Sequence, residues 1–200
     1  MNDNTSIKIA RLITLEKKFR TAENLSELGF VCANELRSVV DYNFLFFLTK
    51  TPTGRQKVQT ISDISVVDRT APTVTFVERL INEKKVEAGV FSEVSISDLR
   101  EDGSNLDLPE NFPNELMVVP LISRTKGDLG SLVIVRSAKV SNTEKELLQH
   151  IAETFSHALD SFLSRGSILS FFGRIFSGWL KWLILSAIAF AMFMPINISA

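Results

Sequence analysis

Hydrophobic positions along this chain repeat with two different periods, and each change of period marks an element. The pattern is clearest between Glu115 and Leu163. Leu116-Met117-Val118-Val119-Pro120-Leu121 is a short apolar run, and Ser123 to Asp128 is a polar turn containing Gly127. Leu129-Gly130-Ser131-Leu132-Val133-Ile134-Val135 is a second apolar run. Two such runs around a glycine-bearing turn predict a β-hairpin. Ser141 then opens a helix, and Glu144 three residues on completes a capping box, in which each side chain satisfies a backbone N–H of the other. Leu148, Ile151, Phe155, Leu159 and Phe162 follow at steps of three and four, one apolar stripe on an amphipathic helix.

The rest of the chain is read the same way. Ile7 to Arg20 predicts a helix with Ile9, Leu12, Ile13 and Phe19 on one face, and Leu25 to Val40 a second with Leu28, Val31, Leu36 and Val39 or Val40 inward. Tyr42 to Leu48 is apolar on both faces, the mark of a strand covered on both sides. Thr51 to Gly54 is a turn, and Gln56 to Ser65 a more polar strand suited to a sheet edge. Pro72 starts a helix carrying Val74, Val77, Leu80 and Ile81, which Gly89 ends. Val90 and Phe91 read as a short strand, and Ser92 to Pro113 as a long polar connection of the kind that forms lids and binding loops or stays disordered. This order predicts an α+β architecture: an antiparallel sheet with helices on both faces. The terminal helices share one face, and the middle helix and long connection cover the other.

From Ile175 to Ile198 the only charge is Lys181. A membrane span needs roughly 20 apolar residues, and Trp179 to Ile198 supplies them. Lys181 sits where its stem can reach the headgroups, while Trp179 and Trp182 suit the interface, so these three are the expected membrane anchor. The cations flanking the span, Arg165, Arg174 and Lys181, all lie before or at its start, which places the folded part in the cytoplasm. A buried core helix is the competing reading of the segment. The organisation expected is an N-terminal helix over 1–24, a folded domain over 25–163, a linker over 164–174 and a C-terminal transmembrane helix over 175–198.

Composition narrows the function. With 22 Lys+Arg against 23 Asp+Glu, there is no electrostatic case for nucleic acid. The single cysteine, Cys32, forms no intrachain disulfide and lies among apolar residues with no nearby His or base, so it reads as a small core hydrophobe. Glu146, His150, Glu153, His157 and Asp160 form a helical stripe; with no further ligand cluster it reads as a solvated face or the rim of a dimer seam rather than a metal site. No nucleophile–base set and no phosphate-binding glycine loop is present, so no catalytic residue is assigned and an enzyme is the least favoured class. No cofactor can be named.

Val118-Val119-Pro120-Leu121, the Gly127 to Gly130 turn, Leu132-Val133-Ile134 and the Glu146-Leu147-Leu148…Ile151-Ala152…Ala158-Leu159 helix resemble the C-terminal half of a GAF domain. The two opening helices and the strand from Tyr42 resemble its N-terminal half. The resemblance implies a sensory module with a small-molecule pocket between the sheet and the middle-helix layer, and dimerisation through bundled terminal helices. The chain lacks the dispersed signature of cyclic-nucleotide-binding members, and Cys32 on an opening helix does not match the chromophore cysteine of bilin-binding members. Pocket residues therefore follow by position alone: Phe44, Phe46, Phe91, Val118 and Val133, for each of which plain core is the alternative. Gly178-Trp179 and Pro195-Ile196-Asn197-Ile198-Ser199-Ala200 resemble the inner-membrane anchor of haemolysin-secretion-D-like periplasmic adaptor proteins. That resemblance implies a bacterial inner-membrane location, an inner-membrane transporter as partner and a role in efflux or secretion. The alternative is an unliganded GAF fold that dimerises and positions a tail-anchored membrane protein.

Overall fold

The computed structural model describes residues 3–83, 89–101, 108 and 111–164. The chain divides into two units, Met1–Asp160 and Ser161–Ala200. In the first, helix α1 (Asp3–Thr21) and helix α2 (Leu25–Glu35) lead through a 3-10 turn (Leu36–Ser38) into strands β1 (Phe44–Lys50) and β2 (Gln56–Ile61). Helix α3 (Pro72–Asn82), strand β3 (Ser92–Ser95) and short helix α4 (Ile96–Glu101) follow, then the hairpin of β4 (Glu115–Ser123) and β5 (Gly127–Arg136). Helix α5 covers 142–160 of this unit, and residues 161–164 of the second unit are also helical. The strands form one antiparallel sheet in the order β2-β1-β5-β4-β3, so the predicted hairpin lies inside the sheet and the polar strand β2 at its edge.

Local chemistry explains the best-defined elements. The capping box forms: the Ser141 backbone N–H donates to Glu144 Oε2 at 3.0 Å and the Glu144 N–H to Ser141 Oγ at 3.3 Å. Asn24 caps α2 by accepting from the Glu27 N–H at 2.9 Å. Gly130 is required where β5 crosses β1: its φ is +152°, and a Cβ there would lie 2.1 Å from the Leu48 carbonyl oxygen.

Each sheet face has its own core. On one, the Phe155 ring of α5 meets Phe47 of β1 edge-on at 5.1 Å and Phe19 of α1 at 5.2 Å. Strand, last helix and first helix are thus joined through three rings. On the other, Phe46, Leu48, Leu116, Val118, Val133 and Val135 lie under Val74, Val77 and Leu80 of α3 and Ile96 and Leu99 of α4. The predicted division of helices between faces is the one observed.

The departures are local. In α1 the buried residues are Leu15 and Phe19, while Ile9 and Ile13 are 46% and 58% exposed, because only the C-terminal half of α1 is covered. The second helix ends at Glu35 rather than Val40, although Val39 and Val40 are still buried beyond the 3-10 turn. The short strand is Ser92–Ser95, not Val90–Phe91, since pairing with Glu115–Val118 selects it. The expected long connection also holds α4, whose first turn is bonded by Asn114: its carbonyl accepts from the Ile96 N–H at 2.8 Å and its Oδ1 from the Ser97 N–H at 2.9 Å. Among the described residues no helix is long and apolar enough to cross a membrane. The expected span over 175–198, with Trp179, Lys181 and Trp182, lies outside the described residues.

Candidate functional site

Two places in the first unit bear on ligand binding, one on each side of the sheet. The five positional candidates divide between them. Phe46 stands opposite Val133 in the β1–β5 register, and Val133 opposite Val118 in the β5–β4 register, so these three form a row across the sheet. All three are buried in the core under α3 and α4. Phe44 begins the same strand at the rim, where its ring stacks on Phe112 at 6.1 Å, and Phe112 meets Phe76 of α3 edge-on at 6.3 Å. Phe91 is elsewhere.

Phe91 lines a cleft of about 510 Å³ beside α5. β3 pairs with β4 only as far as Val118, so the outer edge of β4 beyond it is left to form a floor from Val119, Pro120 and Ile122. Gly89 and Phe91 make one wall, and Arg124 stands at the end of the floor. The opposite wall is the flank of α5 formed by Gln149, Ala152, Glu153, Ser156 and His157, positions that share one helical face. Ala152 and Ser156, small residues one turn apart, form the notch in that wall.

The polar groups of this cleft are unequal. Ser156 is 2% exposed, and its hydroxyl has no hydrogen-bond partner among the described residues. Buried hydroxyls of native proteins are nearly always hydrogen-bonded. Arg124 is exposed and pairs with no carboxylate among the described residues. Asp160, on the next turn of α5, is by contrast heavily bonded: it accepts from Ser123 Oγ at 2.6 Å and Thr125 Oγ1 at 3.0 Å, with Lys126 Nζ at 3.1 Å. These partners, Ser123 first, hold its carboxyl down at about 2.

The charged stripe read from the sequence is therefore split. His150 meets Glu16 of α1 at 2.9 Å, Glu153 and His157 line the cleft, and Asp160 ties α5 to the β4–β5 turn. Among the described residues no group of three or more His, Cys, Asp and Glu side chains is placed to hold a metal ion. Cys32 is fully buried, and burial pushes its thiol pKa up, which suppresses the thiolate. Sequence reasoning missed Ser156, Arg124 and the β4 edge. The one local signal was the pair Ala152 and Ser156 beside an otherwise bulky apolar stripe.

This architecture is the GAF fold. No family model matches the chain, and no curated protein sequence does. The particular likenesses are among solved structures. The GAF domain of an Acinetobacter phosphoenolpyruvate-protein phosphotransferase superposes with a TM-score of 0.58 at 11% identity, over 82% of this chain and 97% of that one. The corresponding domain of the Coxiella burnetii phosphotransferase gives 0.56 at 12%, over 82% and 99%. The phycoerythrobilin-bound GAF domain of a cyanobacterial phytochrome gives 0.55 at 16%, over 81% and 99%. At such identities the likeness is one of fold.

Proposed function

We propose that this chain is a membrane-anchored cytoplasmic regulatory module. In this reading a GAF domain senses a small molecule or partner and has no catalytic activity of its own. The single observation that carries it is how α5 is fastened to the sheet at both ends of its buried length. At its start Glu144 bonds Ser141 and meets Arg136 of β5 at 3.3 Å; near its end Asp160 bonds the β4–β5 turn. A helix so held follows any shift of the hairpin, and the chain runs on from it toward the apolar stretch over 175–198. The exposed Ile7, Ile9 and Ile13 of α1 favour homodimerisation through the terminal helices. The anchor-like sequence from Gly178 to Ala200 supports placing the module in the bacterial inner membrane, as the N-terminal part of a periplasmic adaptor subunit that works with an efflux or secretion transporter.

The second reading, an unliganded fold that dimerises and positions a tail-anchored protein, is favoured by the packed α3 face. There Phe46, Val118 and Val133 are 2%, 4% and 0% exposed. One measurement on the full chain tests the anchor that both readings share, and a second separates the readings. Retention in the membrane fraction after alkaline carbonate extraction, with the N-terminal domain protected in intact spheroplasts, is expected; release into the supernatant removes the anchor. Native mass spectrometry of the purified chain showing a dimer with a co-purified small molecule supports sensing, and a ligand-free dimer supports the positioning role.

A further inference from the structure

We infer that the cleft between α5 and the outer edge of β4 is a binding site for a small amphipathic monocarboxylate, with Ser156 and Arg124 as its polar anchors. This goes beyond the regulatory reading, because the site lies on the α5 side of the sheet and stands whether or not the α3 side takes a ligand. Four observations converge. The cleft's volume, about 510 Å³, falls within the ~300–1,000 Å³ usual for small-molecule sites. Its floor and one wall are apolar, from Val119, Ile122 and Phe91, and suit a hydrocarbon or aryl body. Ser156 is 2% exposed and its hydroxyl has no partner among the described residues, so an acceptor brought into the notch would satisfy a donor that these residues leave unsatisfied. Arg124 at the end of the floor has no carboxylate to pair with among the described residues.

The charge balance narrows the class further. Arg124 favours an anion and can take a carboxylate through two parallel N–H donors. Glu153, exposed on the α5 wall, is the one acid among the described lining residues, and it opposes a second negative charge. A phosphate ester or dicarboxylate is thereby disfavoured relative to a single carboxylate. A ligand seated here would touch β4 and α5 at once and bridge the hairpin to the helix.

The test uses the purified full chain and 4-phenylbutanoate, with 4-phenylbutanol as the uncharged control, followed by saturation-transfer NMR. Saturable binding of the acid is expected, with the alcohol weaker by about tenfold or more, the worth of one charge-assisted hydrogen bond. Ala152→Leu fills the notch and should abolish binding. Arg124→Gln and Ser156→Ala should each weaken it by about tenfold. Arg124→Gln alters an exposed side chain, so its effect can be read independently of folding. Absence of saturable binding up to about 10 mM, well above the weakest useful affinity, would overturn the proposal. So would equal affinity of wild type and Ala152→Leu, or unchanged affinity in either anchor variant.

Discussion

The two faces of the sheet are built from the same strands, yet they use polar groups in opposite ways. Under α3 the buried polar side chains among the described residues are bonded to one another. Ser131 Oγ donates to Gln56 Oε1 at 2.7 Å, the Gln56 N–H donates to Asn82 Oδ1 at 2.8 Å, and Asn82 Nδ2 returns a bond to the Gln56 carbonyl at 2.9 Å. Under α5 the buried Ser123 is bonded to Asp160, but the buried Ser156 has no partner among the described residues, and a cleft stands beside it. Natural cores rarely leave a hydroxyl unpaired, so the exception points to the face where something else completes the structure. The sheet thus has one face optimised for stability and one carrying an unsatisfied group.

The largest test of this contrast is aromatic truncation on each side. Phe46→Ala on the α3 face and Phe155→Ala on the α5 face should each destabilise the full chain by ~3–5 kcal/mol, the usual range for deleting a fully buried ring. Denaturant unfolding followed by circular dichroism reads both. A loss under about 1 kcal/mol for Phe46→Ala would mean that its side of the sheet is hollow and able to repack, which would favour it as a ligand pocket. If either variant fails to accumulate, Phe46→Leu and Phe155→Leu give the same ordering at smaller cost.

Ser131→Ala is next. It removes the donor from the closed network and leaves Gln56 Oε1 buried without a partner, a loss of ~1–3 kcal/mol in the midpoint of denaturant unfolding. A neutral result would show that Gln56 finds water or another donor, and the α3 face would then be less sealed than its geometry implies.

How much of this was legible in the sequence depends on the range of each signal. The hairpin, the Ser141–Glu144 cap and the stripe through Leu159 are set by residues within a few positions of one another, and all three are present. The two-sided cover of β1 was equally readable, because apolar residues at both parities leave no solvent face. β3 was misplaced because Ser92–Ser95 carries no alternation of its own and is selected by pairing with Glu115–Val118. α4 was hidden because the residue that bonds its first turn, Asn114, follows it by 17 positions. The cleft draws its walls from 89–91, 119–124 and 149–157, so no single stretch announces it. Phe91 was singled out as a pocket residue by its position alone, and it lines this cleft rather than the row of Phe46, Val118 and Val133.

A smaller effect is expected at the clamp that holds α5 to the β4–β5 turn. The Asp160 carboxyl is lowered from its ordinary value of 3.8 to about 2. A depressed carboxyl contributes stability that is fully present above its unfolded value and is lost as pH falls through the folded one. Asp160→Asn should therefore cost about 1 kcal/mol near neutral pH. The gap between wild type and variant should stay flat down to the ordinary carboxylate range and close between there and about 2. A gap that widens on acidification would show that Asp160 does not carry the clamp.

The smallest effect carries the sharpest sign. Ser156→Ala removes a hydroxyl that bonds nothing among the described residues, from a position 2% exposed on a helix. Alanine is the better helix former by a few tenths of a kcal/mol, and no partner is stranded by the change. The variant should therefore unfold at an equal or slightly higher denaturant midpoint than wild type, whereas Ser131→Ala on the far side unfolds at a lower one. That opposition between two serines of similar burial is the comparison in its most economical form. A clear loss of stability in Ser156→Ala would mean that the hydroxyl already has a partner in solution, such as an ordered water. The α5 face would then be as fully satisfied as the α3 face, and the open donor would no longer mark it as the side that takes a ligand.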